Sequence, residues 1–484
     1  MPGLVATQQP AEKLGGYDFY HKVLGSPKYV VAPMVDQSEL AWRTLSRRYG
    51  AQLAYTPMIN AKMFADGSRT NFREKNFNTV LGEEGSPQDR PLIVQLCGND
   101  PQKMLTTAKC LEAHCDAIDI NLGCPQDVAR RGHYGSYLQD EWDLVHELIN
   151  TLHRNLSVPV TAKFRVFSTV EKTVEYAQML ERAGAQILTC HGRTREQRGQ
   201  KAGLADWEKI RAVKEAVKVP VFANGNVLFY SDIARCLAAT GADAVMSAEG
   251  NLYNPALFCP APALPSCSSD VAAPASDAAT TLPVSTSEGI LQGLSGLHPP
   301  HAELAREYLD IVKSQKTPTS PSAVKGHLFK LMRPALGRET DLRERLGKAH
   351  IVASEGAKAW IPYEEIVEEM RVRMERDAKV AEGKSLEELI TIEPSTGLPV
   401  LPHWLAQPYF RPLPSPTPTQ KGTSASAKTE LVPPAERAEP VEFPEDTESA
   451  QAALDCPQSD SPPCKRIAEA DELADEAAKR VKTT

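Results

Sequence analysis

No Cys-x-x-Cys pair occurs among the ten cysteines of this 484-residue chain. Most of the cysteines lie singly in apolar segments, which argues against zinc ribbons and against a secreted disulfide framework. Cys456 and Cys464 lie in a polar tail, at a spacing that is too wide for a usual zinc finger. We therefore expect a chain that binds no metal and works in a reducing compartment, the cytoplasm.

We also expect neither a membrane-spanning segment nor a signal peptide. No uninterrupted apolar run approaches the roughly 18 residues that span a bilayer. The opening MPGLVATQQPAEKLGG lacks the basic start and apolar core of a signal peptide. The formal charge is -8 at pH 7, so the whole molecule is not a polycation. A nucleic-acid site would therefore have to be a local basic patch.

Eight short apolar runs alternate with amphipathic, helix-like stretches over residues 26–258. The runs lie at 29–34, 52–58, 91–98, 117–123, 159–166, 186–193, 220–226 and 244–250. Their lack of polar alternation is typical of parallel strands that are buried on both faces. The pattern predicts an α/β protein with a TIM (β/α)8 barrel, and a doubly wound open sheet is the alternative. The barrel is favoured because nearly every run ends in chemically capable residues, which a barrel gathers at one mouth.

The rest of the chain divides by composition and periodicity. A flexible insertion rich in Ala, Ser and Pro is predicted after the barrel, followed by a small helical domain in which Lys and Arg outnumber Asp and Glu between residues 306 and 348. The predicted divisions are an N-terminal extension (1–25), the barrel (26–258), the insertion (259–298), the helical domain (299–380), a docking segment (381–412) and a disordered tail (413–484). The tail ends in basic pairs that fit a nuclear import signal or, equally, a charged amphipathic helix.

Three basic residues mark the ends of the fifth and sixth runs. Lys163 and Arg165 lie two residues apart, so their side chains share one face of a strand. Two cations there are unfavourable unless an anionic or electron-rich group meets them, although structural salt bridges are the alternative. His191 ends the next run, and its place beside the Lys163 strand favours a functional role over that of a packed core histidine.

Two turns built from small residues follow the seventh and eighth runs. ANGNV (223–227) and SAEG (247–250) can each present backbone N–H groups to an anion. The loops after strands seven and eight are the usual phosphate site of such barrels. A phosphate site is therefore predicted here, although an Asn-Gly turn alone is common.

Cys124 follows Asn-Leu-Gly and precedes Pro at the end of the fourth run. An isolated cysteine is usually an inert core residue, but this one is expected in a loop at the mouth. Three glycines at 123, 132 and 135 indicate that the loop can move. The thiol can act there as a nucleophile or as a general acid, because its ordinary pKa near 8.5 keeps it protonated at neutral pH.

Seven short motifs at successive strand ends carry a family resemblance. APMVD, QLCG, INLGCPQ, AKFR, HGRT, NGN and MSAEG occur in this order and resemble the tRNA-dihydrouridine synthase family. INLGCPQ with YGSYL, and AEGNLYNP, are most similar to the eukaryotic branch that acts on positions 16 and 17 of the D-loop. The resemblance covers residues 26–258 and, more weakly, 300–380.

The resemblance implies an FMN site at the barrel mouth and a helical domain that helps to bind tRNA. Apolar and backbone contacts to the flavin fall on Pro33, Met34 and Val35. The resemblance implies polar contacts with the flavin from Gln95 at the ring edge, from Lys163 at the N1–C2 region and from His191. The implied phosphate site consists of Asn224, Gly225, Asn226, Ala248 and Glu249. Many relatives have Gly-Arg in place of Ala248-Glu249, so backbone contacts alone are expected at that pair.

The resemblance also implies a reaction. NAD(P)H would reduce FMN, hydride would pass to C6 of uracil, and Cys124 would protonate C5. Asn121, Arg165 and Arg193 would bind the substrate. The expected protein is a monomeric enzyme acting on tRNA, with no membrane and no metal partner. The alternatives are a small-molecule flavin oxidoreductase of the dihydroorotate dehydrogenase type, which needs no basic helical domain, and a catalytically silent RNA-binding relative.

Overall fold

The computed structural model describes residues 13–199, 202–261, 295–350 and 359–410. The predicted disordered tail and its terminal basic pairs, most of the predicted insertion (262–294) and the first twelve residues lie outside the described part. Among the helices described, none combines the length and apolar composition that crossing a bilayer requires.

Eight parallel strands form the core of the chain. They are β1 Tyr29–Val31, β2 Leu53–Tyr55, β3 Leu92–Cys97, β4 Ala117–Leu122, β5 Val160–Arg165, β6 Leu188–His191, β7 Val221–Asn224 and β8 Ala244–Ser247. Each strand pairs with the next along the chain, and β8 pairs with β1, so the sheet closes on itself. The predicted TIM barrel is confirmed, and the open-sheet alternative is wrong.

Helices surround the barrel. They are α1 Gly16–Lys22, α2 Leu40–Arg48, α3 Ala61–Ala65, α4 Thr70–Asn76, α5 Pro101–Leu111, α6 Asp127–Gly132, α7 Trp142–Asn155, α8 Val170–Ala183, α9 Trp207–Ala216, α10 Tyr230–Thr240 and α11 Glu249–Tyr253. Short 3-10 turns lie at Pro87–Asp89, Glu112–His114, Gly135–Leu138 and Pro255–Phe258, and a two-residue strand lies at Ile59–Asn60. Helix α1 covers the amino ends of the strands, where the Tyr20 hydroxyl donates to the carbonyls of Pro27 and Asp243. The carboxyl ends form the opposite mouth.

A helical domain follows the barrel. Its helices are α12 His301–Ser314, α13 Pro321–Leu331, α14 Arg333–Leu336, α15 Thr340–Lys348, α16 Ile361–Val380 and α17 Leu386–Leu389, and a small hairpin pairs Thr391–Ile392 with Pro399–Val400. The buried His327 ring stacks on Trp42 of α2 at 4.0 Å between centroids. The Nε2 atom of His327 lies 3.1 Å from Glu39 Oε2. These contacts attach the helical domain to the helix that follows the β1 loop.

The segment 401–410 packs against both the barrel region and the helical domain. The backbone N–H of Ala406 donates to the Pro299 carbonyl over 2.8 Å. The guanidinium of Arg333 lies 3.8 Å from the ring centroid of Tyr409. This segment lies within the predicted docking segment (381–412).

A buried ion cluster supports the loop between β1 and α2. Arg43 is fully buried, and its Nε and Nη2 atoms donate to Asp89 over 2.8 and 2.6 Å. Its Nη2 also lies 3.4 Å from Glu84 Oε1, and its Nη1 donates to the Ser38 carbonyl over 2.9 Å. The cluster therefore joins the β2–β3 connection to the loop that carries Met34.

Replacing Arg43 with methionine is expected to lower the free energy of unfolding by about 3–5 kcal/mol, because two buried carboxylates lose their cation. The matched control is Arg48→Met on the same helix. Arg48 is half exposed and pairs with Glu307 over 2.8 Å, so its loss should cost less than about 1 kcal/mol. Urea unfolding of both variants checks the prediction, and equal midpoints would contradict it.

Candidate active site

The mouth of the barrel gathers polar side chains in rows set by strand register. Gln95, Asp119 and Thr161 are neighbours across β3, β4 and β5. One row nearer the mouth, Asn121 of β4 lies beside Lys163 of β5. The register therefore places side chains from distant parts of the chain on one inner wall.

A chain of hydrogen bonds runs along this wall. The Thr161 hydroxyl donates to Asp119 Oδ1 over 2.6 Å, and Gln95 Nε2 donates to Asp119 Oδ2 over 2.8 Å. Asn121 Nδ2 then donates to Gln95 Oε1 over 2.8 Å. Burial raises the pKa of Asp119 to about 6. At neutral pH Asp119 is therefore mostly ionised, and its carboxylate accepts the hydrogen bonds at the start of this chain.

Asn121 connects this chain of hydrogen bonds to the thiol loop, which follows β4 and carries Cys124. Its Oδ1 accepts from the backbone N–H groups of Gly123 and Cys124 over 3.1 and 2.9 Å, while Nδ2 also contacts Met58 Sδ at 3.4 Å. Both oxygen lone pairs and both N–H groups are thus used. These bonds make Asn121 a support of the loop, and the substrate contact predicted for it from the sequence stays a prediction.

Cys124 lies half-buried at the end of β4. Its carbonyl accepts from the N–H and the hydroxyl of Ser136 over 3.1 and 3.0 Å. Gly135 has φ 67°, and a Cβ atom there would lie 2.7 Å from the Cys124 carbonyl oxygen. Only glycine therefore permits this close return of the loop. Burial raises the pKa of the Cys124 thiol, so it is protonated at neutral pH, as a general acid requires.

Lys163 reaches into the same mouth. Its Nζ donates to Asn224 Oδ1 over 2.9 Å, the one hydrogen bond it makes within the described ranges. Burial and the nearby Arg165 lower the pKa of Lys163 to about 8, against the opposing effect of Asp119. An ammonium group has three donors, so an electron-rich ligand would complete this site.

Arg165 holds two mouth loops together. Its Nε donates to the Gly123 carbonyl over 2.9 Å, and its Nη1 donates to the carbonyls of Thr194 and Gln197 over 2.8 and 3.0 Å. The thiol loop and the β6 loop are therefore joined through one side chain. These bonds indicate a positioning role for Arg165 in addition to the predicted substrate contact.

His191 and Arg193 support the turn after β7. Arg193 Nη1 lies 3.2 Å from His191 Nε2, and Arg193 Nη2 donates to Asn226 Oδ1 over 2.9 Å. Burial, together with the cations of Arg165 and Lys163, holds the pKa of His191 well below its usual range. The neutral ring accepts at Nε2. Arg193 therefore lies against the predicted phosphate turn, and the substrate contact predicted for it from the sequence stays a prediction.

The turn after β7 has two consecutive residues with positive φ, Gly225 at 113° and Asn226 at 62°. A Cβ atom on Gly225 would lie 2.6 Å from Ala205 Cβ and 3.2 Å from His191 Cδ2. Glycine is therefore required. Within the described chain, no protein acceptor meets the N–H groups of Gly225 and Asn226, and such groups form an anion-binding concavity.

The remaining predicted residues frame the mouth. Met34 accepts from Gln37 N–H and exchanges hydrogen bonds with the Ser38 hydroxyl, which fixes the loop of Pro33 and Val35. Val35 is 41% exposed, so its side chain is available to a ligand. Ala248 precedes α11, which begins at Glu249.

A model of the dihydrouridine synthase (Dus) family matches residues 30–282 of the chain. The chain belongs to the dihydrouridine synthase family. The Saccharomyces cerevisiae tRNA-dihydrouridine(16/17) synthase (NAD(P)(+)) is 46% identical over 410 residues, which cover 83% of this chain and 88% of the relative. The Schizosaccharomyces pombe protein of that name is 42% identical over 416 residues, covering 85% and 94%. A Mus musculus "-like" protein is 46% identical over 403 residues, covering 83% and 72%.

The donor set of this Dus-family chain fits a flavin that carries a phosphate. Lys163 offers N–H groups beyond the one that Asn224 accepts, and the Gly225–Asn226 turn offers backbone N–H groups to an anion. In the ranges described, no group of three or more His, Cys, Asp or Glu residues is arranged to hold a metal ion.

Sequence reasoning missed Asp119 and Thr161. The signal was present, because Asp119 is a carboxylate within the buried run AIDINL, and buried charges need partners. The partners themselves become visible only once the register of β3, β4 and β5 is known.

The burial of Asp119 has a consequence for stability. Its folded pKa of about 6 lies above the 3.8 of an ordinary Asp, so the unfolded chain ionises more readily and the fold is destabilised above about pH 6. The shift corresponds to a loss of about 3 kcal/mol in the free energy of unfolding. This loss is complete above about pH 6 and disappears as the pH falls below about 4. Asp119→Asn is expected to gain stability relative to the parent at pH 8 and to lose that advantage toward pH 4. Urea unfolding across this range checks it, and a pH-independent difference would contradict it.

Proposed function

We propose that the chain is a tRNA-dihydrouridine synthase that uses FMN and NAD(P)H to reduce the C5–C6 bond of uridines 16 and 17. The observation that carries the proposal is the convergence of a protonated thiol, Cys124, and a partly hydrogen-bonded ammonium, Lys163, on one barrel mouth. The names and identities of the relatives support the reaction and the positions.

The cofactor would be held by residues at the ends of several strands. FMN, when bound, would supply hydride to C6 of uracil after reduction by NAD(P)H. The residues proposed to hold it are Pro33, Met34, Val35, Gln95, Lys163, His191, Asn224, Gly225, Asn226, Ala248 and Glu249. Lys163 would place its charge at an electron-rich ring edge, and the Gly225–Asn226 turn would bind the phosphate through N–H groups.

Cys124 would supply the proton. The S–H bond breaks as the new C5–H bond forms, and the thiolate that remains lies in the field of Arg165 and Lys163, both of which favour the charged sulfur. Solvent then reprotonates the thiol. Because burial raises the thiol pKa, the acid form predominates before each turnover.

The loops around the thiol would position the base. A uridine must leave its stack to reach a buried reducing group, and the mouth between Cys124 and Lys163 is lined by side chains that other hydrogen bonds already hold. The helical domain, attached to α2 through Trp42 and His327, would bind the phosphates of the tRNA outside the mouth.

A small-molecule flavin oxidoreductase is the competing proposal. The experiment that separates them is anaerobic: the flavin-loaded protein is reduced with NADPH and mixed with unmodified tRNA, free uridine or orotate. The proposal expects rapid flavin reoxidation and dihydrouridine with tRNA only. Reoxidation by orotate or uridine, and none by tRNA, would favour the small-molecule enzyme.

A further inference from the structure

We infer that Asp119 is a positioning residue that fixes the direction of the Gln95–Asn121 hydrogen-bond chain and thereby holds the Cys124 loop. The inference rests on the proposed function for its catalytic consequence, although its structural consequence can be tested without turnover.

The direction of this hydrogen-bond chain follows from Asp119, its first member. A carboxylate only accepts hydrogen bonds, so Gln95 must turn Nε2 toward Asp119 and Oε1 toward Asn121. Asn121 must then present Nδ2 to Gln95, which leaves Oδ1 facing the loop. Thr161 occupies the other carboxylate oxygen.

The chain of hydrogen bonds ends at the thiol loop. Asn121 Oδ1 receives the N–H groups of Gly123 and Cys124. If the two amides reversed, Asn121 would present Nδ2 to those N–H groups, and donor would face donor. Because Gln95, Asp119 and Asn121 are each less than a tenth exposed, water cannot readily supply the missing acceptor.

Asp119 also carries a charge near Lys163, so a purely electrostatic role must be separated from the directional one. Two replacements do this. Asp119→Asn removes the charge but can still accept from Gln95 through Oδ1, while its Nδ2 donates to a rotated Thr161 hydroxyl. Asp119→Leu removes both the charge and the acceptor.

The test compares these variants in the flavin-loaded protein. For Asp119→Leu we expect the iodoacetamide alkylation rate of Cys124, followed by peptide mass spectrometry, to rise at least fivefold, and kcat on tRNA to fall at least tenfold with KM within about twofold. Asp119→Asn should stay within about threefold of the parent in each quantity. Thr240→Val is the control, because Thr240 is a buried residue of α10 whose hydroxyl donates to the Cys236 carbonyl over 2.7 Å, away from these hydrogen bonds.

A second pair of variants keeps the inference testable if Asp119→Leu does not fold. Asn121→Asp places carboxylates on both sides of Gln95, and at pH 8 it should impair kcat at least tenfold. Adding Asp119→Asn restores the alternation of donors and acceptors, with the direction of the hydrogen bonds reversed. The new amide at position 119 then donates to Gln95 Oε1, and Gln95 Nε2 donates to the new carboxylate at position 121, so activity should recover.

The inference is overturned if Asp119→Leu leaves alkylation of Cys124 unchanged, if Asp119→Asn is as impaired as Asp119→Leu, or if the double variant stays as impaired as Asn121→Asp. Failure of the proposed function is a different result. In that case the parent forms no dihydrouridine, while the alkylation rates still report on the loop.

Discussion

Replacing Cys124 with alanine is expected to lower dihydrouridine formation in tRNA by about 100-fold or more, while bound flavin is retained. A positioned general acid contributes roughly 10²- to 10⁴-fold to a reaction, and the structure offers the half-buried, protonated thiol of Cys124 at the mouth for this role. Nucleoside mass spectrometry measures the product, and flavin absorbance measures retention.

Cys97 provides the matched control. It packs in the same small apolar cluster as Cys124 and Tyr134 but is only 1% exposed. Cys97→Ala removes a comparable sulfur from the same region, so it should keep activity within about threefold of the parent. Full activity in Cys124→Ala, or equal losses in both variants, would make the acid assignment wrong.

Lys163→Met is expected to weaken flavin binding by roughly 10- to 100-fold. Hydrogen bonds to a charged group contribute about 1.5–3 kcal/mol, and methionine keeps most of the length of the side chain while removing the ammonium. The lost group is the one that donates to Asn224 and points into the mouth. Titration of the apoprotein with FMN, followed by flavin fluorescence, gives the dissociation constant.

Lys172→Met is the control for this measurement. Lys172 lies on α8, is half exposed and pairs with Asp140 over 3.4 Å, so its loss should leave the dissociation constant within about twofold. Unchanged FMN affinity in Lys163→Met would remove the basis for placing the flavin at this lysine.

The fold was largely predictable because burial on both faces leaves a direct mark on a strand. Runs such as AIDINLG and PLIVQLCG carry that mark, and their observed strands begin within a residue or two of the predicted ones. Lys163 and Arg165 were predicted to share a face because of the two-residue period alone. The structure places both at the mouth, where burial and the charge of Arg165 lower the pKa of Lys163.

The roles of Asn121, Arg165 and Arg193 were less predictable. A sequence shows that a polar side chain stands at a strand end, but it does not show which distant carbonyl or amide reaches that side chain. Arg165 bonds carbonyls on two separate loops, and Asn121 uses all of its hydrogen-bonding capacity within the protein. Asp119 lies one row deeper, and only the strand register connects it to the thiol.

The proposed reaction is tested most directly by mapping dihydrouridine at nucleotide resolution in an unmodified tRNA after incubation with the flavin-loaded parent and NADPH. We expect dihydrouridine at positions 16 and 17, and its loss with Cys124→Ala. A tRNA that keeps uridine at every D-loop position, although the protein holds reduced flavin, would contradict it.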